Sequence, residues 1–136
     1  MSNYLVELKN IQDDRGSLTV LENLKNVPFE IKRIYYFNNL KSDHPRGFHA
    51  HKKLKQMAIC LAGSCTFTMD DGFKKEKVML SHFNQAILID HLIWREMHDF
   101  SSDCVLMVLA DNFYDENDYI RDYSEFLKAV TLEHKK

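Results

Sequence analysis

The sequence predicts an all-β protein, an antiparallel sandwich or barrel backed by one C-terminal α-helix, in a single domain spanning residues 1–136. Three observations carry this. Apolar and polar residues alternate with a period of two through most of the first 110 positions, as they do in strands with one buried face. Turn-forming residues interrupt the alternation at the short intervals of a sandwich or barrel. Toward the C-terminus the period lengthens to that of an amphipathic helix.

The first strand candidates are residues 4–8 (YLVEL), 17–21 (SLTVL) and 31–37 (IKRIYYF). The polar stretch NLKSDHPRG, residues 39–47, reads as the one sizeable loop and leads into a run containing two histidines. In QMAICLAG, Met57, Ile59 and Leu61 share one side before Gly63 turns the chain. In SCTFTMD, Cys65, Phe67 and Met69 alternate with polar neighbours, and Asp71-Gly72 is a hairpin signal. Residues 56–80 are therefore expected to form a meander of three antiparallel strands. Residues 86–89 (AILI), 92–97 (LIWREM) and 104–110 (CVLMVLA) add further strands. The last is apolar on both faces and should be covered on both sides, with a subunit contact as a candidate cover. In DYIRDYSEFLKAV, Tyr119, Ile120, Tyr123, Phe126, Leu127 and Val130 recur at helical spacing. The acidic DEND ahead of them sits where a helix macrodipole favours carboxylates, predicting a helix over about 118–130.

Composition narrows the function. Hydrophobic residues at 45% and charged ones at 28% suit a globular chain. A net charge of −2, from 18 basic and 20 acidic residues that are interspersed, offers no footprint for nucleic acid or an anionic membrane. No apolar run reaches the roughly 18 residues of a membrane span, and the N-terminus has no basic-then-apolar leader, so a cytoplasmic location is expected. Cys60, Cys65 and Cys104 lie in apolar runs without a C-x-x-C pattern and read as buried, reduced thiols.

The chemistry concentrates in PRGFHAHKKLKQ, residues 45–56. Residues two apart on a strand share a face, so His49 and His51 should project side by side, with Phe48 and Ala50 facing away. Such a pair serves either a metal or proton transfer. Small β-barrels that bind metal commonly add a carboxylate and a later histidine to H-x-H. Here the carboxylate slot is Gln56, a neutral and weaker ligand, and Arg46 and Arg33 would repel a cation. Alternation in IKRIYYF puts Arg33 and Tyr35 on one face. Two histidines, a phenol and guanidinium groups in one cavity would equip it for proton abstraction beside a carbonyl on a phosphorylated substrate. In LIWREMHDF, Trp94, Glu96 and His98 share one face and Arg95 and Met97 take the other; arginine and histidine here could bind a diphosphate or a sugar hydroxyl.

Five segments extend this reading: DDRGSL at 13–18, KRIYYF at 32–37, PRGFHAHKKL at 45–54, WREMHDFSSDCVLMVLA at 94–110 and YDENDYIRDYSEF at 114–126. In order, and over nearly the whole chain, they resemble the cupin-fold dTDP-sugar 3,4-ketoisomerases. The resemblance implies a cupin jelly-roll and a homodimer with exchanged N-terminal strands. It also implies a metal-free reaction without a cofactor on dTDP-4-keto-6-deoxy-D-glucose, serving 3-amino-3,6-dideoxyhexose biosynthesis for surface polysaccharide. By the same analogy His49 is the base, with His51 and Tyr35 delivering a proton or stabilising an enediolate oxygen; the two histidines could exchange roles. Arg33, Arg46, Arg15, Arg95, His98, Gln56 and Trp94 are the expected substrate contacts.

In that family, the residue before the glycine of RGSL and the residue after the tryptophan of WREMHDF look like the pair controlling the product. Arginine with histidine goes with the galacto configuration at C4, and tyrosine with arginine with the gluco. This chain has Arg15 and Arg95, a mixed pattern that leaves both configurations open. Two other classes remain alongside: a metal-dependent cupin enzyme using His49 and His51, and a non-catalytic sugar-nucleotide binding module.

Overall fold

The computed structural model describes residues 2–136. Its elements run in the order β1 (Leu5–Glu7), β2 (Asn10–Asp13), β3 (Gly16–Thr19), β4 (Arg33–Phe37), β5 (Arg46–His51) and β6 (Gln56–Ala62). There follow β7 (Cys65–Asp70), β8 (Lys75–Leu80), β9 (Gln85–Ile89), β10 (Trp94–His98), β11 (Val105–Ala110), β12 (Tyr119–Ile120) and α1 (Tyr123–His134). Two five-stranded sheets face each other, one ordered β1-β9-β6-β11-β4 and the other β12-β5-β10-β7-β8, and β2 and β3 form a separate hairpin. All the strand pairings are antiparallel. This is the antiparallel sandwich that the alternation predicts, in the jelly-roll form that the resemblance implies. Among the described residues, no helix is long and apolar enough to cross a membrane.

The expected meander over 56–80 is corrected. β7 and β8 pair as a hairpin, but β6 pairs with β9 and β11 in the opposite sheet. Gly63 makes the crossing: it sits at φ +70°, and a Cβ there would come within 2.8 Å of the Cys104 Cα. A side chain at this turn would disfavour both the backbone angle and the close approach. The crossing turns Cys60 and Cys65 toward each other in the inter-sheet core, beside Phe67, Met69, Ile87 and Leu106. The Cys60 Sγ lies 3.8 Å from the Sγ of both Cys65 and Cys104. The thiols are free, as expected. Burial pushes Cys104 up to about 12, so its thiol is neutral and packs as a small hydrophobe.

The second cover on β11 comes from the same chain. Val27 and Phe29, in the long connection between β3 and β4, pack with Met57, Ile59 and Leu109 on the outer side of that sheet. The outer side of the other sheet is closed by α1, whose Phe126 and Val130 cluster with Trp94, Ala50 and Ile120.

The helix starts later than its spacing predicts. Glu116–Asp118 form a 3₁₀ turn, Tyr119–Ile120 add a strand to the sheet edge, and Asp122 is the helix N-cap, accepting from the Ser124 and Glu125 N–H groups. An N-cap carboxylate satisfies amides that have no partner within the helix, so Asp122 outcompetes the earlier acidic run as the start. Leu127, expected on the buried face, is 36% exposed.

Phe126 is fully buried and its ring lies 5.8 Å from that of Trp94 and 5.7 Å from that of Tyr123. Phe126→Ala should therefore lower the unfolding free energy by about 3–5 kcal/mol, measured by urea titration with tryptophan fluorescence.

Candidate active site

A cavity of about 450 Å³ opens between the two sheets, within the size range of small-ligand pockets. β4 alternates as predicted: Arg33, Tyr35 and Phe37 line the cavity, while Ile34 and Tyr36 are exposed on the opposite face. The Arg33 guanidinium lies 5.2 Å from the Tyr35 ring, and its Nε is buried without a hydrogen-bond partner among the described residues. A buried donor without a partner is costly unless a ligand supplies the acceptor.

β5 departs from regular alternation. Arg46 and His49 both line the cavity although they are three apart, a spacing that would place them on opposite faces of a regular strand. The register against β10 shifts between Arg95 and Glu96: His49 faces Arg95, but Gly47 faces Glu96. Gly47 at φ +93° and Phe48 at φ +61° form this bulge, and a Cβ on Gly47 would sit 2.8 Å from the Arg95 carbonyl oxygen. The extra residue restores Arg46 to the cavity side, with its guanidinium 4.5 Å from the Phe37 ring.

The two histidines lie edge to face with ring centres 4.9 Å apart. His49 Nδ1 is 3.1 Å from the Gly47 carbonyl oxygen. A carbonyl only accepts, so the proton sits on Nδ1 and Nε2 keeps its lone pair. Burial first, and then the Arg95 charge, lower the His49 pKa to about 4. His51 is 1% exposed and lies behind His49, bordering a second cavity of about 200 Å³ instead of the main one. Its Nδ1 faces Asp118 Oδ2 at 3.1 Å, and the Asp118 carboxylate also accepts from the Lys53 and Leu54 N–H groups. Burial and Arg95 bring the His51 pKa to about 2. Both imidazoles are neutral at neutral pH.

A buried hydrogen-bond chain crosses the floor of the cavity. Arg95, 2% exposed, donates from Nε and Nη2 to the Ile93 carbonyl and from Nη1 to Gln56 Oε1 at 2.6 Å. Gln56 in turn donates from Nε2 to the Tyr35 hydroxyl oxygen at 2.7 Å. Burial lowers Arg95 to about 10, which leaves it charged, and burial raises Tyr35, which leaves its phenol protonated. The glutamine oxygen that a metal would need is already taken by the guanidinium.

Six of the residues singled out in the sequence meet at this cavity: Arg33, Tyr35, Arg46, His49, Gln56 and Arg95. Trp94 and His98 do not. They lie on the other face of β10, where Trp94 packs on α1 and His98 bonds Glu96 Oε1 at 3.0 Å. Arg15 sits at the turn of the β2–β3 hairpin, paired with Asp13 at 2.6 Å and 91% exposed, outside the cavity of its own chain. Sequence reasoning misses three residues. Tyr119 stacks against both histidines, at 4.9 and 4.3 Å, Arg121 lies over the Tyr119 ring at 4.1 Å, and Asp118 orients His51. For two of them a faint signal exists, since Tyr119 and Arg121 flank the buried Ile120 in an alternation hidden inside an apparent helical period.

The protein is a small cupin jelly-roll whose cavity combines a neutral imidazole, a protonated phenol and several guanidinium groups. It belongs to the FdtA family, described as WxcM-like, C-terminal, whose model matches residues 1–131. It is 50% identical over 130 residues to a TDP-4-oxo-6-deoxy-alpha-D-glucose-3,4-oxoisomerase of Aneurinibacillus thermoaerophilus, covering 96% of this chain and 94% of that one. The 3,4-ketoisomerase QdtA of Thermoanaerobacterium thermosaccharolyticum, solved as a histidine-to-asparagine variant with TDP-4-keto-6-deoxyglucose, superposes with a TM-score of 0.93 at 38% identity over 100% of both chains. The TDP-quinovose 3,4-ketoisomerase WlaRB of Campylobacter jejuni superposes with a TM-score of 0.88 at 48% identity, covering 91% of this chain and 95% of that one.

The depressed histidine values fix a pH dependence. An unfolded histidine takes up a proton near pH 6.5, whereas His49 in the folded chain resists protonation down to about pH 4. The unfolded state binds more protons in that window, so stability is full above pH 6.5 and is lost as the pH falls toward 4. His49→Asn should remove part of that loss, measured as a shallower slope of unfolding free energy against pH between 6.5 and 4.

Proposed function

We propose that this chain isomerises TDP-4-keto-6-deoxyglucose to the corresponding 3-keto sugar, with His49 as the base. The observation that carries this is the free Nε2 lone pair of a neutral His49 in a cavity shared with Tyr35 and Arg33. His49 takes the C3 proton as electrons move toward the C4 carbonyl, giving an enediolate. Tyr35 donates to the O4 oxygen as its charge develops, and the arginines offset the charge of enediolate and diphosphate. Tyr35 passes its proton to O4 and takes the C3 hydroxyl proton in its place as O3 becomes the ketone, while His49 delivers a proton to C4, so no proton or electron is gained or lost overall. His51, held by Asp118 and packed on the His49 ring, keeps that ring oriented. No cofactor is needed for such a transfer. The product, made in the cytoplasm, suits an aminotransferase that installs nitrogen at C3 on the way to a surface polysaccharide.

The working unit in this reading is a homodimer that exchanges N-terminal strands. The β2–β3 hairpin belongs to neither five-stranded sheet and exposes Ile11 and Leu18 at its flanks. An exchanged hairpin would carry Arg15 to the cavity of the partner, beside Arg95, where it would meet the face on which the proton returns.

Incubation with TDP-4-keto-6-deoxyglucose in deuterated water, followed by proton NMR, should give a 3-keto sugar with deuterium at C4, because the proton on the cavity-facing His49 exchanges with solvent before it is returned. Absence of both would sink the reading, and the H4–H5 coupling of the product distinguishes a galacto from a gluco configuration. His49→Asn should lower kcat by about 100-fold or more while leaving the folded circular dichroism spectrum intact.

Arg15 and His49 also test the exchange. Co-refolding Arg15→Ala chains with His49→Asn chains should restore roughly a quarter of wild-type activity, because half of the dimers are mixed and each mixed dimer holds one intact site. Activity no higher than the sum of the two variants alone would place Arg15 and His49 in the same chain's site or remove Arg15 from it.

A further inference from the structure

We propose that Gln56 is a positioning residue whose amide, fixed in direction by Arg95, accepts nothing from Tyr35 and so leaves the Tyr35 hydroxyl proton free for the substrate. The inference rests on the isomerase reading above and concerns which way the hydrogen bonds run.

The direction follows from donor and acceptor capacity. A guanidinium has donors and no acceptor. Arg95 Nη1 lies 2.6 Å from the Gln56 side chain, so the atom it meets must be the amide oxygen. The alternative amide orientation would bring two N–H groups together in a site where Gln56 is 3% exposed and Arg95 2% exposed, with no solvent to relieve the clash. With its oxygen committed, Gln56 presents only N–H to Tyr35, at 2.7 Å. The phenol oxygen is then the acceptor in that bond. Its own O–H proton has no partner among the protein's described side chains and is available on the cavity side, where Tyr35 lies with Arg33 and His49. Accepting a bond from an amide polarised by a cation also makes the phenol a stronger donor, since successive hydrogen bonds polarise one another. Burial keeps the phenol protonated over the working pH range.

Glutamine is therefore required by polarity as well as by shape. Glutamate has nearly the same volume and would keep the Arg95 contact, but a carboxylate can only accept. It would draw the Tyr35 proton toward itself and reverse the last bond of the chain. Methionine, also of similar size, would lose both bonds yet capture no proton.

The test uses the full-length chain with Tyr35→Phe, Gln56→Glu, Gln56→Met and the double variant Tyr35→Phe/Gln56→Glu. Turnover of TDP-4-keto-6-deoxyglucose is followed by NMR with a chelator present, because a carboxylate introduced beside two histidines would offer metal ligands. TDP affinity and melting temperature are measured in parallel. Tyr35→Phe and Gln56→Glu should each lower kcat by about 100-fold, the scale of losing one acid–base group. The double variant should be no slower than Tyr35→Phe, because phenylalanine has no proton for the introduced carboxylate to capture and a carboxylate that offsets the Arg95 charge does not weaken His49 as a base. Gln56→Met should retain more activity than Gln56→Glu, even where it melts lower.

A residue that merely holds structure predicts the reverse order, with methionine worse than glutamate because it breaks both bonds. That order, or additive losses in the double variant, would overturn the proposal. A slow Tyr35→Phe with a fast Gln56→Glu would overturn the polarity alone. An unaffected Tyr35→Phe would overturn both the polarity and the place of Tyr35 in the isomerase reading.

Discussion

A guanidinium inside a β-sandwich is tolerated only when its hydrogen bonds are met, because an unpaired buried charge costs several kcal/mol. Arg95 meets the condition with one backbone carbonyl and one glutamine oxygen, and much of the site follows from that arrangement. Its partner Gln56 loses the freedom to rotate its amide. Tyr35 is held in place by Gln56 at the cavity floor. The two histidines sit in the field of a cation that water does not screen, which adds to burial in keeping them unprotonated. Arg95 thus reinforces the charge state that burial gives to neighbours it does not touch through hydrogen bonds.

The two histidines share a sequence pattern but occupy unlike environments. His49 bonds a backbone carbonyl two residues away and faces the cavity, whereas His51 bonds a carboxylate from a segment 67 residues further along and faces away from it. One imidazole is free to exchange a proton with a ligand. The other belongs to a small buried assembly with Asp118 and Tyr119 that ties the C-terminal segment to the site. The same carboxylate accepts two backbone N–H groups just after β5, so the loop, the histidine and the sheet edge are fixed by a single group.

The strands, the sandwich and most of the cavity are legible in the sequence, since alternation reports which residues share a face. Arg33 with Tyr35 on β4 and Arg95 with Met97 on β10 follow from counting by two. Counting fails where the backbone leaves the ideal strand. Gly47 hints at a bulge, yet only the pairing with β10 reveals that Arg46 and His49 come to one side. At the C-terminus, Tyr119 and Ile120 fit a helical spacing that conceals their strand. Asp122, as N-cap, separates a two-residue strand from the helix, and a strand that short leaves almost no periodic signal. Trp94 and His98 show a different limit. Their face of β10 is chemically rich, but α1 covers Trp94, and which face of a strand meets a helix is a tertiary fact. A cover on β11 follows from its two apolar faces, but its source does not, because residues near 27–29 carry no strand or helix pattern that ties them to that sheet.

The bulge on β5 carries one more consequence, for how such sites diverge. Its second residue, Phe48, is 42% exposed, and its ring lies edge-on to His98 outside the cavity. The site therefore depends on the number of residues between Arg46 and His49 more than on what the middle one is. Relatives with one fewer residue there would keep every side chain named above and still present arginine to the outside, so an alignment gap at this point carries more functional information than a substitution of Phe48 itself.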